Sequence, residues 1–396
     1  LTVLCGRPED VLPAFAASVG AEVVLAGADE DPVAIQRDER VARSVRLTLV
    51  DDQRIVPPGQ LRTHAGEPYA VYTPFRRALD AIVDDDRGLI AAADADLGRL
   101  APPERPGGSP AFPDVAVPHA LPEPGETAAA ERLRRFLRAH VAGYREERDR
   151  PDLDTTSRLS PDLRVGAISV RALWRAATNA EARGRERGDA GLVRSAGAWR
   201  GELAWREFFA HVLGAHPRLV TQSFRPELDT LEWVAGREAD EALEAWRGGR
   251  TGYPFVDAGM RQLVAEGWMH NRARLVTASF LVKHLGVDWR RGETVFLEHL
   301  LDADTAQNNG NWQWVAGVGT DAAPYFRILN PVIQARKFDP DGAYVRRWVP
   351  ELRRVPTEHI HEPWRADPPP VGYPPPIVDL AAARARALTR YRRGAG

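Results

Sequence analysis

DADTAQNNGNWQW, residues 302–314, crowds two carboxylates, a run of carboxamides and two tryptophans into thirteen residues. Asn, Asp and Gly favour turns and caps over helix interiors, so the composition predicts a loop. So many buried polar groups would each need a partner, which argues against a plain core segment. A polar, aromatic, glycine-containing loop fits the wall of a pocket for a flat ligand with polar edges.

Outward from this stretch the chain reads as helical. Helical periodicity recurs over 128–142, 161–177, 192–213, 238–247, 254–266, 270–284, 293–301 and 376–392. All eleven tryptophans fall between Trp174 and Trp364, inside this helical region. The first sixty residues read differently. Short apolar runs at 2–5, 23–26 and 47–50 predict strands, and amphipathic patterns at 8–19 and 32–44 predict the helices between them. A β-α-β-α-β order implies a parallel sheet with right-handed crossovers. Three strands make a small sheet of this kind, and one or two further βα units of roughly 30 residues each would be expected before Leu1. Between these regions periodicity fades. Pro102-Pro103, Pro106-Gly107-Gly108 and 122–125 punctuate a surface connector that carries one helix near 74–83. The expected architecture is a partial, Rossmann-like α/β domain (1–60), a connector (61–127) and a large all-α domain (128–396).

Composition narrows the function. The chain has 396 residues, 44% of them hydrophobic, and a net charge of −2, so it is not a strongly basic nucleic-acid binder overall. One cysteine, Cys5, excludes an intramolecular disulfide framework and a cysteine-based metal cluster. No apolar run reaches membrane-spanning length and no signal peptide is visible, so a cytoplasmic monomer without a membrane partner is expected. His359-Ile360-His361-Glu362 lacks a third and fourth ligand for a metal. No phosphate-binding glycine loop or serine-nucleophile motif appears. Chemistry carried by a bound cofactor remains.

Three constellations stand beside the opening stretch. At 155–162, hydroxyls and Arg158 precede Ser160-Pro161, which reads as an N-cap followed by proline at N1. Such a terminus attracts a diphosphate, and equally fits a plain capped helix. At 199–209, Trp199, Glu202 and Arg206 share a helical face with Trp205 nearby, suited to a base-like ligand or to simple amphipathic packing. At 267–275, Trp268, Asn271 and Arg274 or Leu275 align. Asn271 offers a donor and an acceptor, and Arg274 is a planar partner for a carboxylate such as Asp302.

The runs TSRLS (156–160), WRGELAWREFF (199–209), TGYPFVDAGMRQL (251–263), GWMHNRARLVTASFLVK (267–283) and 302–331 together resemble the photolyase/cryptochrome family, most nearly its class I cyclobutane pyrimidine dimer photolyases. The resemblance implies FAD held in the helical domain. Tyr144, Thr156, Ser157, Leu159 and Ser160 would contact its ribityl-diphosphate part. Trp199 and Arg206 would line the cavity, and Asn271 and Arg274 would lie between flavin and lesion. Asp302 and Asp304 would meet the ring edge, and Asn308 would face flavin N5. Plant cryptochromes usually carry aspartate at that last position and animal ones cysteine. Glu202, Trp205, Asn271, Leu275 and Trp314 would receive a flipped pyrimidine dimer from UV-damaged DNA. Trp312, Trp289 and Trp233 would carry electrons from the surface. The implied reaction needs no metal: light excites reduced flavin, an electron passes to the dimer, the ring opens and the electron returns. Leu275 stands where methionine is common, and Asn311 where glycine is. Asn271 after His270, rather than a second histidine, sets aside (6–4) photoproducts. A folate or deazaflavin antenna would belong to a fuller α/β domain. A cryptochrome-like photoreceptor without repair is the alternative. Arg327, Arg336, Lys337, Arg346 and Arg347 are the expected phosphate contacts.

Overall fold

The computed structural model describes residues 2–90, 121–320 and 327–394. Helix α1 (Pro8–Ser18) opens on a proline with Glu9 and Asp10 in its first turn, where the helix dipole favours them. Strand β1 (Val24–Gly27) follows. Helix α2 (Pro32–Ala42) starts at Asp31, whose side chain accepts from the Val33 amide. Strand β2 (Leu47–Val50) lies parallel to β1, with Val24 opposite Leu47. The expected parallel sheet is present with two strands among the described residues. Residues 2–5, expected as a strand, have no regular structure. A four-residue apolar run becomes a strand only where a neighbour completes its ladder.

In the connector, α3 (Tyr72–Asp85) buries Phe75, Leu79 and Val83, a helical stripe at four-residue spacing, against the helical domain. The Pro102-Pro103 and Pro106-Gly107-Gly108 portion lies outside the described residues. The helical domain begins with α4 (Glu126–Ala139), α5 (Tyr144–Glu147) and α6 (Ser160–Arg164). It continues with α7 (Val170–Glu186), α8 (Ala190–Ala215), α9 (Gly236–Arg247), α10 (Pro254–Glu266) and α11 (Asn271–Ser279). The remainder are α12 (Trp289–His299), α13 (Thr305–Ala316), α14 (Pro331–Phe338), α15 (Ala343–Trp348) and α16 (Leu380–Gly394). A single helix expected over 161–177 is two, because Gly166 at φ 74° turns the chain between α6 and α7. The helix expected over 270–284 ends in a π-helical turn, Phe280–Leu285. Among the described residues no helix is long and apolar enough to cross a membrane.

Two apolar cores result. One packs α3, α4, α7 and α8 around Trp174 and Phe208, and takes in Ile55 and Val56 from the segment after β2. The other packs α9 to α13 with α15 and α16 around Trp246, Trp289 and Trp312. The TGYPFVD run serves the second. Buried Asp257 accepts from the Thr251 and Gly252 amides and the Thr251 hydroxyl, and from Tyr373 Oη at 2.5 Å. It thereby ties α10 to the C-terminal segment. Asp257→Ala should lower stability by about 3 kcal/mol, since it strands several buried donors at once; a denaturant midpoint unchanged from wild type would contradict this.

Candidate functional site

Residues 305–314 are helical, where a loop over 302–314 was expected, and 302–304 lead into that helix. Asp304 caps α13, its carboxylate accepting from the Gln307 amide at 3.0 Å. The carboxamides that should weaken a helix find partners outside it. Asn308 Nδ2 donates to the Glu293 carbonyl at 3.0 Å. Asn309 Nδ2 donates to the Leu219 carbonyl at 2.9 Å and to Glu293 Oε1 at 3.0 Å. Gln313 Nε2 donates to Asn309 Oδ1, and Gln313 Oε1 accepts from the Phe224 amide. Gly310 lets α13 approach α8 closely: a Cβ there would lie 2.1 Å from the Phe209 ring.

A cleft of about 530 Å³, open at its mouth, runs between α11, α12 and α13. Asn271, Arg274, Leu275, Asp302, Asp304, Asn308 and Trp312 all line it. Arg274 Nη2 pairs with Asp302 Oδ2 at 2.8 Å, and its Nε holds the Met269 carbonyl. Asp302 Oδ1 and Trp312 Nε1 are buried without a hydrogen-bond partner. So are the hydroxyls of Thr155 and Thr156 in the loop before α6. That loop meets the turn before α11, where Ser160 Oγ accepts from Trp268 Nε1 at 3.3 Å and Arg158 lies 4.3 Å over the Trp268 ring. Buried polar groups are normally satisfied. A cleft of mixed lining, edged by an orphaned carboxylate oxygen and an orphaned indole N–H, therefore suits a flat cofactor with polar edges. The sequence predicts Ser160 as the cap of this helix, and it does not take that place. Leu159 occupies the cap position with no side-chain bond, and Asp162 in the first turn is taken by Arg132. Ser157 and Leu159 sit in the same loop, Leu159 buried.

The other nominated residues lie around this cleft and not on its walls. Tyr144 and Trp199 are both buried against Phe136. Burial pushes the Tyr144 hydroxyl well above its ordinary value. Glu202 accepts from Arg148 Nη1 at 2.6 Å. Arg148 was missed in the sequence; its only signal was a cation one turn after Tyr144. Arg206 turns toward the segment after β2, donating to the Gln53 carbonyl at 2.7 Å. Trp205 stacks on Tyr72, ring centroids 3.7 Å apart and planes 4° from parallel. Trp312 is buried against Phe296 at 5.0 Å and Trp246 at 6.1 Å, while Trp314 stays part-exposed. The two diverge by helical rotation, where an extended loop was expected. Trp289, fully buried, shares α12 with Phe296, and Trp233 meets Tyr391 at 6.4 Å. Arg290 lies 4.8 Å over Trp289 and Arg390 5.8 Å over Trp233.

His270 caps α11 through Nδ1, and burial lowers its pKa to about 4, so it serves as a neutral acceptor. Among the described residues no His, Cys, Asp or Glu group can hold a metal. His361 and Glu362 are engaged by the Asp339 carbonyl and by Arg336 and Arg365. Arg336 is therefore paired within the protein, as is Arg346, which holds the Val355 carbonyl.

Comparison with known proteins follows the same geography. A model for the FAD-binding domain of DNA photolyase matches 199–393, which contains the whole cleft, and a DNA photolyase model matches 1–94. The deoxyribodipyrimidine photo-lyase of Agrobacterium fabrum is 40% identical over 99% of this chain and 84% of its own. The chain belongs to the photolyase/cryptochrome family. The Escherichia coli photo-lyase is 42% identical over 89% of the chain and 74% of its own length. A bacterial class III photolyase structure from Agrobacterium tumefaciens superposes with a TM-score of 0.82 at 38% identity, covering 98% of this chain and 83% of its own. A Synechocystis cryptochrome gives 0.83 at 28% identity, with the same coverage. These similarities establish the family and leave the class I subtype expected from the motifs undistinguished.

Within this member of the family, Glu293 backs the cleft through Asn308 and Asn309. Burial raises its carboxyl to about 7, only partly offset by the Asn309 bond. A carboxyl whose folded pKa lies above its unfolded value is held protonated by the fold. The folded state then loses stability as pH rises from about 4.5 to about 7, by roughly 3 kcal/mol. Glu293→Gln should remove that slope. Parallel thermal-stability profiles for the two proteins across this window would refute the assignment.

Proposed function

We propose that this protein is a photolyase that binds FAD in the cleft between α11, α12 and α13 and uses light to split cyclobutane pyrimidine dimers in DNA. The observation that carries the reading is the convergence of Asn271, Arg274, Asp302, Asp304, Asn308 and Trp312 on one cleft, with buried polar atoms awaiting partners. When bound, reduced flavin supplies a photoexcited electron to the dimer and accepts it back. This chain's residues bind, orient and exclude water. Asp302, fixed by Arg274, and Asp304, fixed by the α13 terminus, offer acceptors to the ring edge. Asn308, tethered to the Glu293 carbonyl through Nδ2, would leave its amide oxygen to accept from flavin N5. Thr155 and Thr156 offer hydroxyls to the ribityl-diphosphate.

On the lesion side, Glu202, Trp205, Asn271, Leu275 and Trp314 receive a flipped dimer. A damaged step is poorly stacked, so extruding it costs less than extruding a normal pair. Trp314 is part-exposed in keeping with that role, and Leu275 supplies an apolar wall. Trp312, Trp289 and Trp233, all in or against one core, form the route by which an oxidised flavin regains electrons. The likeness to a cryptochrome supports a second reading, a photoreceptor without repair. Asn308 speaks for repair.

Flavin-reduced protein should remove dimers from a UV-irradiated oligonucleotide under blue light and not in the dark. A folded, flavin-loaded protein that leaves dimers intact under illumination would establish the photoreceptor instead. Trp312→Phe should abolish photoreduction of the oxidised flavin while chemically reduced protein still repairs within about threefold of wild type, because the relay and the repair step use different partners. Photoreduction persisting in that variant at the wild-type rate would remove Trp312 from the route.

A further inference from the structure

The connector helix α3 reaches the lesion side of the site. Tyr72, its first residue, lies face to face with Trp205, centroids 3.7 Å apart at 4°. Its hydroxyl donates to the Gly201 carbonyl at 2.9 Å, one turn before Trp205 on α8. Ring and hydroxyl thus grip the same helical turn. Arg76, one turn further along α3, stands beside the Tyr72 hydroxyl and is itself held by Asp80 at 2.8 Å. Asp80 also takes Arg200 of α8 at 2.9 Å. On its other contacts the Trp205 indole meets Phe209 at 5.5 Å and Phe208 edge-on at 5.6 Å. It nonetheless keeps part of its surface open.

A tryptophan side chain has two free torsions, and an indole that must meet a flipped base gains affinity when those torsions are already fixed. We infer that Tyr72 is a positioning residue for lesion binding, which clamps the Trp205 indole in the orientation that meets the extruded pyrimidine. The inference rests on the photolyase reading above and adds to it a residue from outside the helical domain. Tyr72 does not touch flavin or dimer; it acts through Trp205. Its loss therefore weakens lesion capture and leaves the electron-transfer step, once the lesion is seated, nearly as it was.

The test compares flavin-loaded wild type, Tyr72→Leu and Tyr72→Phe for affinity toward an oligonucleotide carrying one thymine dimer, toward the same undamaged oligonucleotide, and for repair under saturating light. Tyr72→Leu should raise the Kd for the dimer, and KM with it, about five- to tenfold, with kcat within about twofold and undamaged-DNA affinity unchanged. Tyr72→Phe keeps the ring and should restore dimer affinity to within about twofold. In a Trp205→Ala background the Tyr72→Leu change should add nothing, because the two act as one unit. Wild-type dimer affinity in Tyr72→Leu, or an additive loss on top of Trp205→Ala, overturns the inference while the photolyase reading stands. A wild type that does not distinguish dimer from undamaged DNA overturns both. Should Tyr72→Leu fail to fold with flavin, Tyr72→Met, an unbranched and adaptable apolar side chain without a planar ring, answers the same question with the same outcomes.

Discussion

The burial of α13 depends on hydrogen bonds that leave the helix. A segment this rich in Asn, Gln and Gly cannot be held by propensity. It is held because Asn309 and Gln313 form a ladder to the Leu219 carbonyl and the Phe224 amide, while Asn308 and Asn309 fasten it to Glu293 on α12. Each bond contributes modestly beside the cost of leaving a buried amide unmet, roughly 1–3 kcal/mol apiece. The polar face that looks wrong for a core is what fixes the height and rotation of the helix. That rotation sets which residues face the cleft.

The segment that follows β2 is bound into the same framework. Glu207 on α8 accepts the Ile55 and Val56 amides, and Arg206 holds the Gln53 carbonyl. Arg54 is buried between Glu30 from the α/β part and Asp304 at the head of α13, 3.9 Å away. Thr305 donates to Asp31 beside it. Buried charges of this kind stand only when paired, and removing one partner costs far more than the pair contributes. The sheet region and α13 therefore share an electrostatic joint, although they lie some 250 residues apart in sequence.

Local signals in the sequence served well where the structure is local. Asp31-Pro32 opens α2 as its residue types require, and Asn271, Arg274 and Leu275 reach the cleft together through helical spacing. The chemistry of 302–314 was legible, but its conformation was not. The partners that make a helix of it come from positions about 90 residues away, such as Leu219 and Phe224, beyond the reach of any propensity. Ser160-Pro161 failed for the converse reason: a distant indole, Trp268, draws the hydroxyl from the cap. Tyr72 and Arg148 carried no pattern, since their meaning resides in the residues they touch, Trp205 and Glu202.

The missing side chain at position 310 has a mechanical meaning. Phe209 lies directly over that glycine, Trp205 lies against Phe209, and Tyr72 lies on Trp205. The backbone of the flavin-side helix is thus linked to the proposed lesion-side indole by one aromatic ring, with no room to add even a methyl group. Displacements of α13 pass to that indole nearly undiminished, because packed interiors transmit strain rather than absorb it. If α13 borders the flavin and Trp205 the lesion, as proposed, rigid spacers and not compliant loops would set the distance between electron donor and acceptor.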